Sequence, residues 1–293
     1  MPGGPVVTAP RRPVIARVAG RVGGRVVRVG LVVVALFWML PVLGLLVASL
    51  RPEASNAHSG WWSVFTAPAQ LTLANYAGLL ADRGVLGSLW NTVLIAVPST
   101  VLVVVIGAFA AYALVWIEFP GRDIVMLGVV ALLVVPVQVA LVPVAKLLGA
   151  IGLYGSIPGV VAFHVAFGIP FAVFLLRNSF VGIPRDLLEA ARLDGGRELR
   201  IFWRLVLPIS RPAVAALATF QFLWVWNDLL VALVFADEAS APITVALRSE
   251  LRQFGSNVDV LASGAFLSMV VPLVVFFAFQ RAFVHGVLAG STK

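Results

Sequence analysis

The chain contains no cysteine and little charge for its length. Charged residues make up 12% of its 293 residues and hydrophobic residues 61%, whereas an ordinary soluble domain carries about 25% charged residues. The absence of cysteine excludes a disulfide framework, a thiolate metal site and a cysteine nucleophile. This composition predicts an integral membrane protein rather than a soluble domain.

The residues that enzymes and nucleotide hydrolases require are also scarce. The two lysines, Lys146 and Lys293, do not follow the glycine-rich pattern of a phosphate-binding loop, so nucleotide hydrolysis cannot be assigned to this chain. The three histidines, His58, His164 and His285, are far apart in the sequence and form no metal-ligand spacing. We therefore predict no catalytic residue, no metal site and no cofactor on this chain.

Ionisable residues are nearly absent from the long apolar runs, where His164 and Asp228 are the main exceptions. Proton-coupled carriers usually place such residues within their spans. A transport protein without a proton relay or a nucleotide site would take its energy from a separate subunit. The arginines cluster at the ends of apolar runs, as orientation signals do, and this distribution argues against a nucleic-acid partner.

The apolar runs predict an all-α, polytopic membrane protein. Each run is long enough to cross about 30 Å of hydrocarbon at ~1.5 Å per residue. Most of the 21 Lys and Arg residues would lie on one side of the membrane, so both termini are predicted to be cytoplasmic. The six predicted membrane-spanning helices are 29–50, 88–117, 124–147, 158–180, 209–235 and 262–284.

This topology divides the chain into a few consecutive regions. The basic tail is read as uncleaved, and attraction of its arginines to anionic lipid accounts for its charge. The five later spans form one core that contains a polar, arginine-rich insertion at 181–208. The predicted regions are a basic cytoplasmic tail (1–28), the first transmembrane helix (29–50), an extracytoplasmic loop (51–87), the core (88–284) and a cytoplasmic tail (285–293).

The polar insertion at 181–208 has the local signals of two short helices. Residues 183–186 (Ile-Pro-Arg-Asp) indicate a helix start, because proline suits the first turn and aspartate there complements the helix dipole. The glycine pair 195–196 would end that helix. A second helix at about 197–206 would lead to Leu-Pro at 207–208 and a turn into the fifth span. We expect a helix-turn-helix across the cytoplasmic end of the bundle.

The insertion also contains a long motif with fixed spacing. Glu189-Ala190-Ala191 is followed after three residues by Gly195 and, after nine further residues, by Leu205, any residue, and Leu-Pro. This pattern resembles the EAA loop of importer-type ABC transporter permeases, with leucine where isoleucine is usual. The resemblance implies the type I permease fold and coupling to separate ATPase subunits through Glu189, Ala190, Ala191, Asp194, Gly195, Leu207 and Pro208. An amphipathic helix lying on lipid headgroups is the alternative, although it would not require the downstream motif.

The resemblance extends to permeases of the carbohydrate-uptake, maltose-system type over most of 60–293. It implies a second homologous permease, two ATP-binding subunits that use ATP and Mg, and an extracytoplasmic solute-binding protein. It also implies that the tail 286–293 reaches between the ATPases, with a frayed terminus as the alternative. The matching segments are Asn75-Tyr76, Asn91-Thr92, 110–114, 119–122 and 222–230, of which the last is similar to alpha-glucoside permeases.

A path for sugar would need hydrogen-bonding groups and aromatic faces between helices. In the maltose-type pair the partner permease holds most of the sugar contacts, which weakens a specificity role for this subunit. Asp228 near the outer end of its helix could instead serve packing or capping. Other polar solutes, such as glycerol phosphate or a polyol, and a membrane-embedded enzyme or scaffold remain alternatives to a sugar importer of the bacterial cell membrane. The candidate path residues are Asn91, Gln138, Gln221, Trp224, Trp226, Asn227 and Asp228.

Overall fold

The structure is a computed structural model that describes residues 14–254 and 258–289, and these residues are almost entirely helical. Within them no β-strand forms, and a single isolated bridge pairs Gly155 with Ala236. The all-α prediction is confirmed for this part of the chain. The helices are α1 (Val14–Ser49), α2 (Glu53–His58), α3 (Ala74–Ala81), α4 (Arg83–Trp116), α5 (Arg122–Leu133), α6 (Val137–Ala150), α7 (Ile157–Val181), α8 (Arg185–Leu193), α9 (Glu198–Ile201), α10 (Leu207–Ile209), α11 (Arg211–Trp226), α12 (Leu230–Phe235), α13 (Ile243–Phe254) and α14 (Val258–Ala289).

Four to six segments of the described residues could cross a membrane. Four single helices are long and apolar enough, and two bent helix pairs also qualify if each pair is counted as one span. The predicted runs 88–117, 158–180 and 262–284 correspond to α4, α7 and α14. The single helices qualify over Val26–Ser49, Arg83–Trp116, Ile157–Val181 and Val258–Gln280.

Two of the predicted spans are not single straight helices, and α1 is longer than the predicted first helix. The run 124–147 is not one helix, because α5 and α6 meet at a bend of 103°. Pro136 precedes α6 in an extended conformation, and the residue before a proline also disfavours helical geometry. The run 209–235 is likewise interrupted after Trp226. At the other end of the chain, α1 begins at Val14, so part of the predicted tail 1–28 is helical.

The centre of the bundle is the long contact between α4 and α7, which is the most extensive helix pairing among the described residues. The two helices approach closely at Gly107, where an added Cβ would lie 2.5 Å from the Cβ of Ala172. Helix α11 packs against α4, α7 and α14, and α14 also packs against α1. Helices α4, α7 and α11 therefore form the central core against which the other helices pack.

The hydrophobic core continues from the spans into the short helices that follow α7. Leu188 of α8, together with Ile201 and Phe202, is buried in the same cluster as Phe180 of α7. Phe202 stacks on Phe109 of α4 with ring centroids 4.6 Å apart. Because apolar burial is the main stabilising contribution, α8 to α10 form part of the rigid body rather than a detached arm.

The segment after α1 is organised by a buried arginine. The side chain of Arg51 is 0% exposed and donates to the carbonyl oxygens of Ser55 (2.8 Å), Ser59 (3.2 Å) and Gly60 (3.1 Å). It also donates to the side-chain oxygen of Gln70 at 3.3 Å. A buried charge requires such partners, so the segment folds around Arg51. The count of Lys and Arg residues used to predict the topology places Arg51 in a loop and does not show that it is buried.

Candidate functional site

We call residues 183–208, which contain the EAA-like motif, the coupling element. Its first half forms the short helix and the glycine turn that the sequence predicts. Helix α8 starts after Pro184, has Asp186 in its first turn and ends at Leu193. Gly195 has φ of +79°, a conformation that only glycine adopts at little cost. Gly196 is needed for a different reason, because an added Cβ would lie 2.5 Å from the carbonyl oxygen of Ala191. The predicted helix end at 195–196 is confirmed.

Helix α8 has one buried and one exposed face. Leu188 points into the core, whereas Glu189, Ala190 and Asp194 are exposed and Ala191 is half-buried. Leu193 is 89% exposed at the end of the helix. An apolar side chain so exposed beside a carboxylate and a small alanine suits contact with another protein surface. Sequence reasoning missed Leu193, although its position two residues before Gly195 places it at the tip.

The second half of the element differs from the single helix expected at 197–206. Helix α9 is short and leads into a π-helical turn at Phe202–Val206, which is followed by α10. Leu207 and Pro208 lie inside α10, immediately before an 80° bend into α11. The predicted turn into the fifth span is therefore present, but it falls at Ser210 rather than at the Leu-Pro pair itself.

A hydrogen-bonded group that we call the clasp joins this element to α4. It consists of Tyr112, Arg192 and Glu198. The Nε of Arg192 donates to Glu198 at 2.8 Å, and its Nη2 donates to the carbonyl oxygen of Trp116 at 3.1 Å. The hydroxyl of Tyr112 donates to the other carboxylate oxygen of Glu198. The hydrogen bond from Arg192 to Glu198 raises the pKa of the guanidinium above its ordinary value, so Arg192 stays charged and the pair stays ionic.

A second feature is the groove between α7 and α11. Gln221 of α11 is 2% exposed, and its Nε2 has no hydrogen-bond partner among the described residues. Gly168 of α7 makes room for it, because a Cβ there would lie 2.8 Å from that nitrogen. The groove forms a cavity of ≈ 250 Å³ with mainly aromatic walls. Its lining residues are Phe167, Gly168, Phe171, Phe220, Gln221 and Trp224.

The groove continues along the same two helices toward the coupling element. A second cavity of ≈ 540 Å³ shares Phe171 and Phe220 with the first and reaches Asn178, Ser179 and Ser210. The two cavities together provide an elongated, largely apolar surface with a few polar groups. Such a composition is usual for a binding cleft.

Two other candidate path residues lie away from this groove. The side-chain nitrogen of Asn91 donates to the carbonyl oxygens of Ala239 at 2.9 Å and Ala241 at 3.2 Å. Asn91 thus fixes the segment before α13 onto the start of α4. Gln138 is exposed on the first turn of α6. The structure therefore does not bring these two side chains together with Gln221.

The Trp226-Asn227-Asp228 group sits at the junction of α11 and α12. Trp226 is buried and its Nε1 donates to the carbonyl oxygen of Ser268 at 3.1 Å. The side chain of Asn227 bonds back to its own helix. Asp228 accepts from two backbone N–H groups in the first turn of α12, and its carboxylate lies 3.7 Å from the Nε2 of His164. These contacts match the capping and packing alternative for Asp228.

Comparison with known proteins assigns the family. Residues 103–288 match the family described as binding-protein-dependent transport system inner membrane component. The chain belongs to this family. The sequence-based prediction of an ABC importer permease is thereby confirmed, as is its location in the inner membrane as a protein with several membrane-spanning helices.

Several characterised relatives align with nearly all of this permease. It is 46% identical over 272 residues to the osmoprotective compounds uptake permease protein of Synechocystis sp., covering 91% of each chain. It is 44% identical over 255 residues to the alpha-glucoside transport system permease protein of Rhizobium meliloti, covering 85% of this chain and 67% of that one. The trehalose transport system permease protein of Mycobacterium tuberculosis is 34% identical, with 87% of this chain and 92% of that one covered.

A solved structure shows the same fold. The permease superimposes on a chain of a bacterial ABC transporter involved in the import of the acidic polysaccharide alginate with a TM-score of 0.78. The superposition covers 94% of this chain and 100% of that chain, at 22% sequence identity. The permease therefore has the type I ABC permease fold that the motif implied.

Proposed function

We propose that this permease is one of two membrane-spanning subunits of an importer that moves a sugar or oligosaccharide delivered by an extracytoplasmic solute-binding protein. The names of the alpha-glucoside and trehalose relatives support the substrate class. The main structural support is the exposed apolar side chain of Leu193 at the tip of α8, a helix that is anchored in the hydrophobic core through Leu188. Such a tip would let an ATPase on a separate subunit act on the membrane helices.

In this proposal the chain crosses the membrane six times with both termini in the cytoplasm. Each bent pair, α5 with α6 and α9–α10 with α11, then counts as one crossing. The positive-inside tendency supports this orientation, because arginines are frequent between Arg177 and Arg211, where the coupling element lies.

The ATPase subunit would dock on Glu189, Ala190 and Leu193, the exposed face of α8. Ala190 permits close approach, Leu193 fills an apolar pocket and Glu189 pairs with a basic side chain. Gly195 and Asp194 hold the turn, and Leu207 and Pro208 lie at the bend through which movement reaches α11. ATP and Mg would be bound by the ATPases. For the tail 286–293, residues beyond Ala289 lie outside the described residues, and its insertion between the ATPases stays a prediction.

The α7–α11 groove would form this subunit's part of the sugar path, facing the second permease. Aromatic faces such as Trp224 suit the apolar side of a sugar ring, and the free amide nitrogen of Gln221 can donate to a hydroxyl. Asn91, Trp226, Asn227 and Asp228 would then shape the wall of the path without touching solute. Gln138, which is exposed on α6 and lies away from the groove, remains a predicted solute contact.

Docking is tested by a single-cysteine crosslink, for which the chain offers a background without cysteine. Leu193→Cys should crosslink to a cysteine in the groove of the co-expressed ATPase, with a yield that changes when ATP is added. Asp123→Cys is the matched control, since its side chain is 99% exposed but lies on α5. Equal crosslinking from both positions, or none from Leu193→Cys in a complex that transports, would contradict the docking surface.

The path is tested by Gln221→Leu in importer reconstituted with its binding protein. Leucine fills similar space and removes an unpaired buried amide, so the thermal stability should be unchanged or higher. The KM for sugar uptake should rise about tenfold, which corresponds to one lost hydrogen bond. Gln280→Leu is the control, since Gln280 is an exposed glutamine on α14 that bonds to its own helix, and it should leave the KM unchanged. Competition with alpha-glucosides, trehalose, glycerol phosphate and a polyol identifies the solute class, and inhibition by the last two alone would refute the sugar assignment.

A further inference from the structure

Three arginines from three different helices meet in one cavity on the coupling-element side of the bundle. Arg122 begins α5, Arg177 lies one turn before the end of α7, and Arg185 begins α8. All three line a cavity of ≈ 220 Å³ together with Trp116. Residues so distant in sequence are brought together by the packing of α5 and α7, and no motif in the sequence joins them.

The positive charge of this cavity is largely uncompensated. Arg177 and Arg185 make no hydrogen bond or ion pair with any described residue. Arg122 is 3.9 Å from Asp123, a carboxylate that is almost fully exposed to solvent. Like charges confined to a concave site repel one another, and clefts lined by one sign of charge concentrate counter-ions. This arrangement differs from the nearby clasp, where a carboxylate neutralises the arginine.

The nearby acids do not cancel the charge. Glu118 and Glu189 line an adjoining cavity that shares Arg122 and Arg185 with the first. Both glutamates are exposed, and neither forms an ion pair with the three arginines among the described residues. The wall also contains an unused donor, because the indole Nε1 of Trp116 is buried without an acceptor. An oxyanion in the cavity would satisfy both kinds of group.

The remaining walls are apolar. Leu114 and Val115 near the end of α4 and Val181 at the end of α7 line the same cavity. Both helices are membrane-spanning candidates, so the cavity lies where hydrocarbon meets water. A free phosphate would gain nothing from aliphatic walls, whereas a phospholipid presents a phosphate and an acyl chain at this depth. Basic pockets between membrane helices on the cytoplasmic side bind anionic headgroups.

We propose that this cavity binds the headgroup phosphate of an anionic phospholipid. Arg177 and Arg185 contact the phosphate oxygens, Arg122 adds positive charge at the rim, and Trp116 donates its indole N–H. The acyl chain follows Val181 along the outer surface of α7. The bound lipid would lie between the ends of α4 and α7 and the starts of α5 and α8. Because α8 belongs to the coupling element, the lipid would help to fix the position of that element.

The test uses the full-length permease in its complex with the partner subunits, stripped of lipid in detergent. Native mass spectrometry measures binding of phosphatidylglycerol against phosphatidylcholine at equal concentration. Phosphatidylglycerol should bind preferentially, and the double variant Arg177→Gln, Arg185→Gln should weaken it at least about tenfold, the loss expected for one charge-assisted hydrogen bond. Arg83→Gln, an exposed arginine at the opposite end of α4 from the cavity, should change binding less than about threefold.

Four results would overturn the proposal. Equal binding of both lipids, or unchanged phosphatidylglycerol binding by the double variant, would remove the headgroup site. Displacement of bound lipid by millimolar inorganic phosphate would reassign the cavity to a free anion. Loss of the ATPase subunits from the double variant in any lipid would reassign the arginines to a protein partner. If the variant fails to insert, a photoactivatable phosphatidylglycerol on the wild-type complex decides the matter: crosslinks must map to the ends of α4 and α7.

Discussion

The proposed coupling through residues 183–208 can be tested at the clasp by the change Tyr112→Phe. Tyr112 is 4% exposed, and its hydroxyl donates to Glu198. A hydrogen bond to a charged acceptor contributes about 1.5–3 kcal/mol. Because Glu198 is partly exposed and keeps Arg192, water and the arginine offset part of this, and we expect a loss of about 1–2 kcal/mol. The ring itself still packs on Phe202.

The clasp connects α4 to the coupling element, so breaking it should weaken the transmission of movement between them. A loss of this size changes an equilibrium about 5- to 30-fold, so the ratio of solute transported to ATP hydrolysed should fall by about fivefold or more. ATP hydrolysis itself should stay within about twofold, since the docking face of α8 is untouched. Both rates are measured on importer in proteoliposomes. Asp123→Asn, which breaks only a surface contact with Arg122, is the control.

Equal loss of hydrolysis and transport in Tyr112→Phe would show that the clasp only supports folding. An unchanged ratio with a lowered Tm would lead to the same conclusion, because the contact would then stabilise the structure without transmitting movement. Either result would refute the idea that the clasp transmits movement. The proposal that α8 docks on the ATPase would still be tested separately by the Leu193→Cys crosslink.

Three further changes test the packing and the turns. Gly107→Ala should lower stability by about 1–3 kcal/mol in a thermal unfolding assay, because its Cβ would meet Ala172; Gly128→Ala, which faces open space, should not. Gly195→Ala should cost about 1–2 kcal/mol through its left-handed φ alone and should reduce uptake without preventing membrane insertion. Arg51→Gln should leave partly buried carbonyl oxygens without donors, lower stability by about 1–3 kcal/mol, and expose the segment after α1 to proteolysis.

Local signals in the sequence were sufficient for the coupling element. Pro184, Asp186 and the glycine pair act within a few residues of where they stand, so the start and end of α8 could be predicted from them. Hydropathy, by contrast, averages over a run and is insensitive to a change of direction. It therefore joined α5 to α6 despite Pro136 and extended α11 beyond Trp226.

Most of the contacts that sequence reasoning missed are long-range. Tyr112 and Glu198 are 86 residues apart, and the arginines of the lipid cavity come from three helices. Gln221 was a candidate, but its isolation from any partner depends on the small size of Gly168 opposite. Arg51 is the exception, because its partners lie within 19 residues of it. Counting charges does not distinguish such a buried guanidinium from a solvated one. The contacts between distant helices become visible only when the helices are placed side by side.

The contact between α1 and α14 has a consequence for biosynthesis. The first span buries little of its surface, and α14, the last helix, is its main helical partner in the described structure. At roughly 5–20 residues per second, the ribosome needs about 10–40 s to make the chain that separates them. Throughout that interval the face of α1 that later packs on α14 lacks its main helical partner.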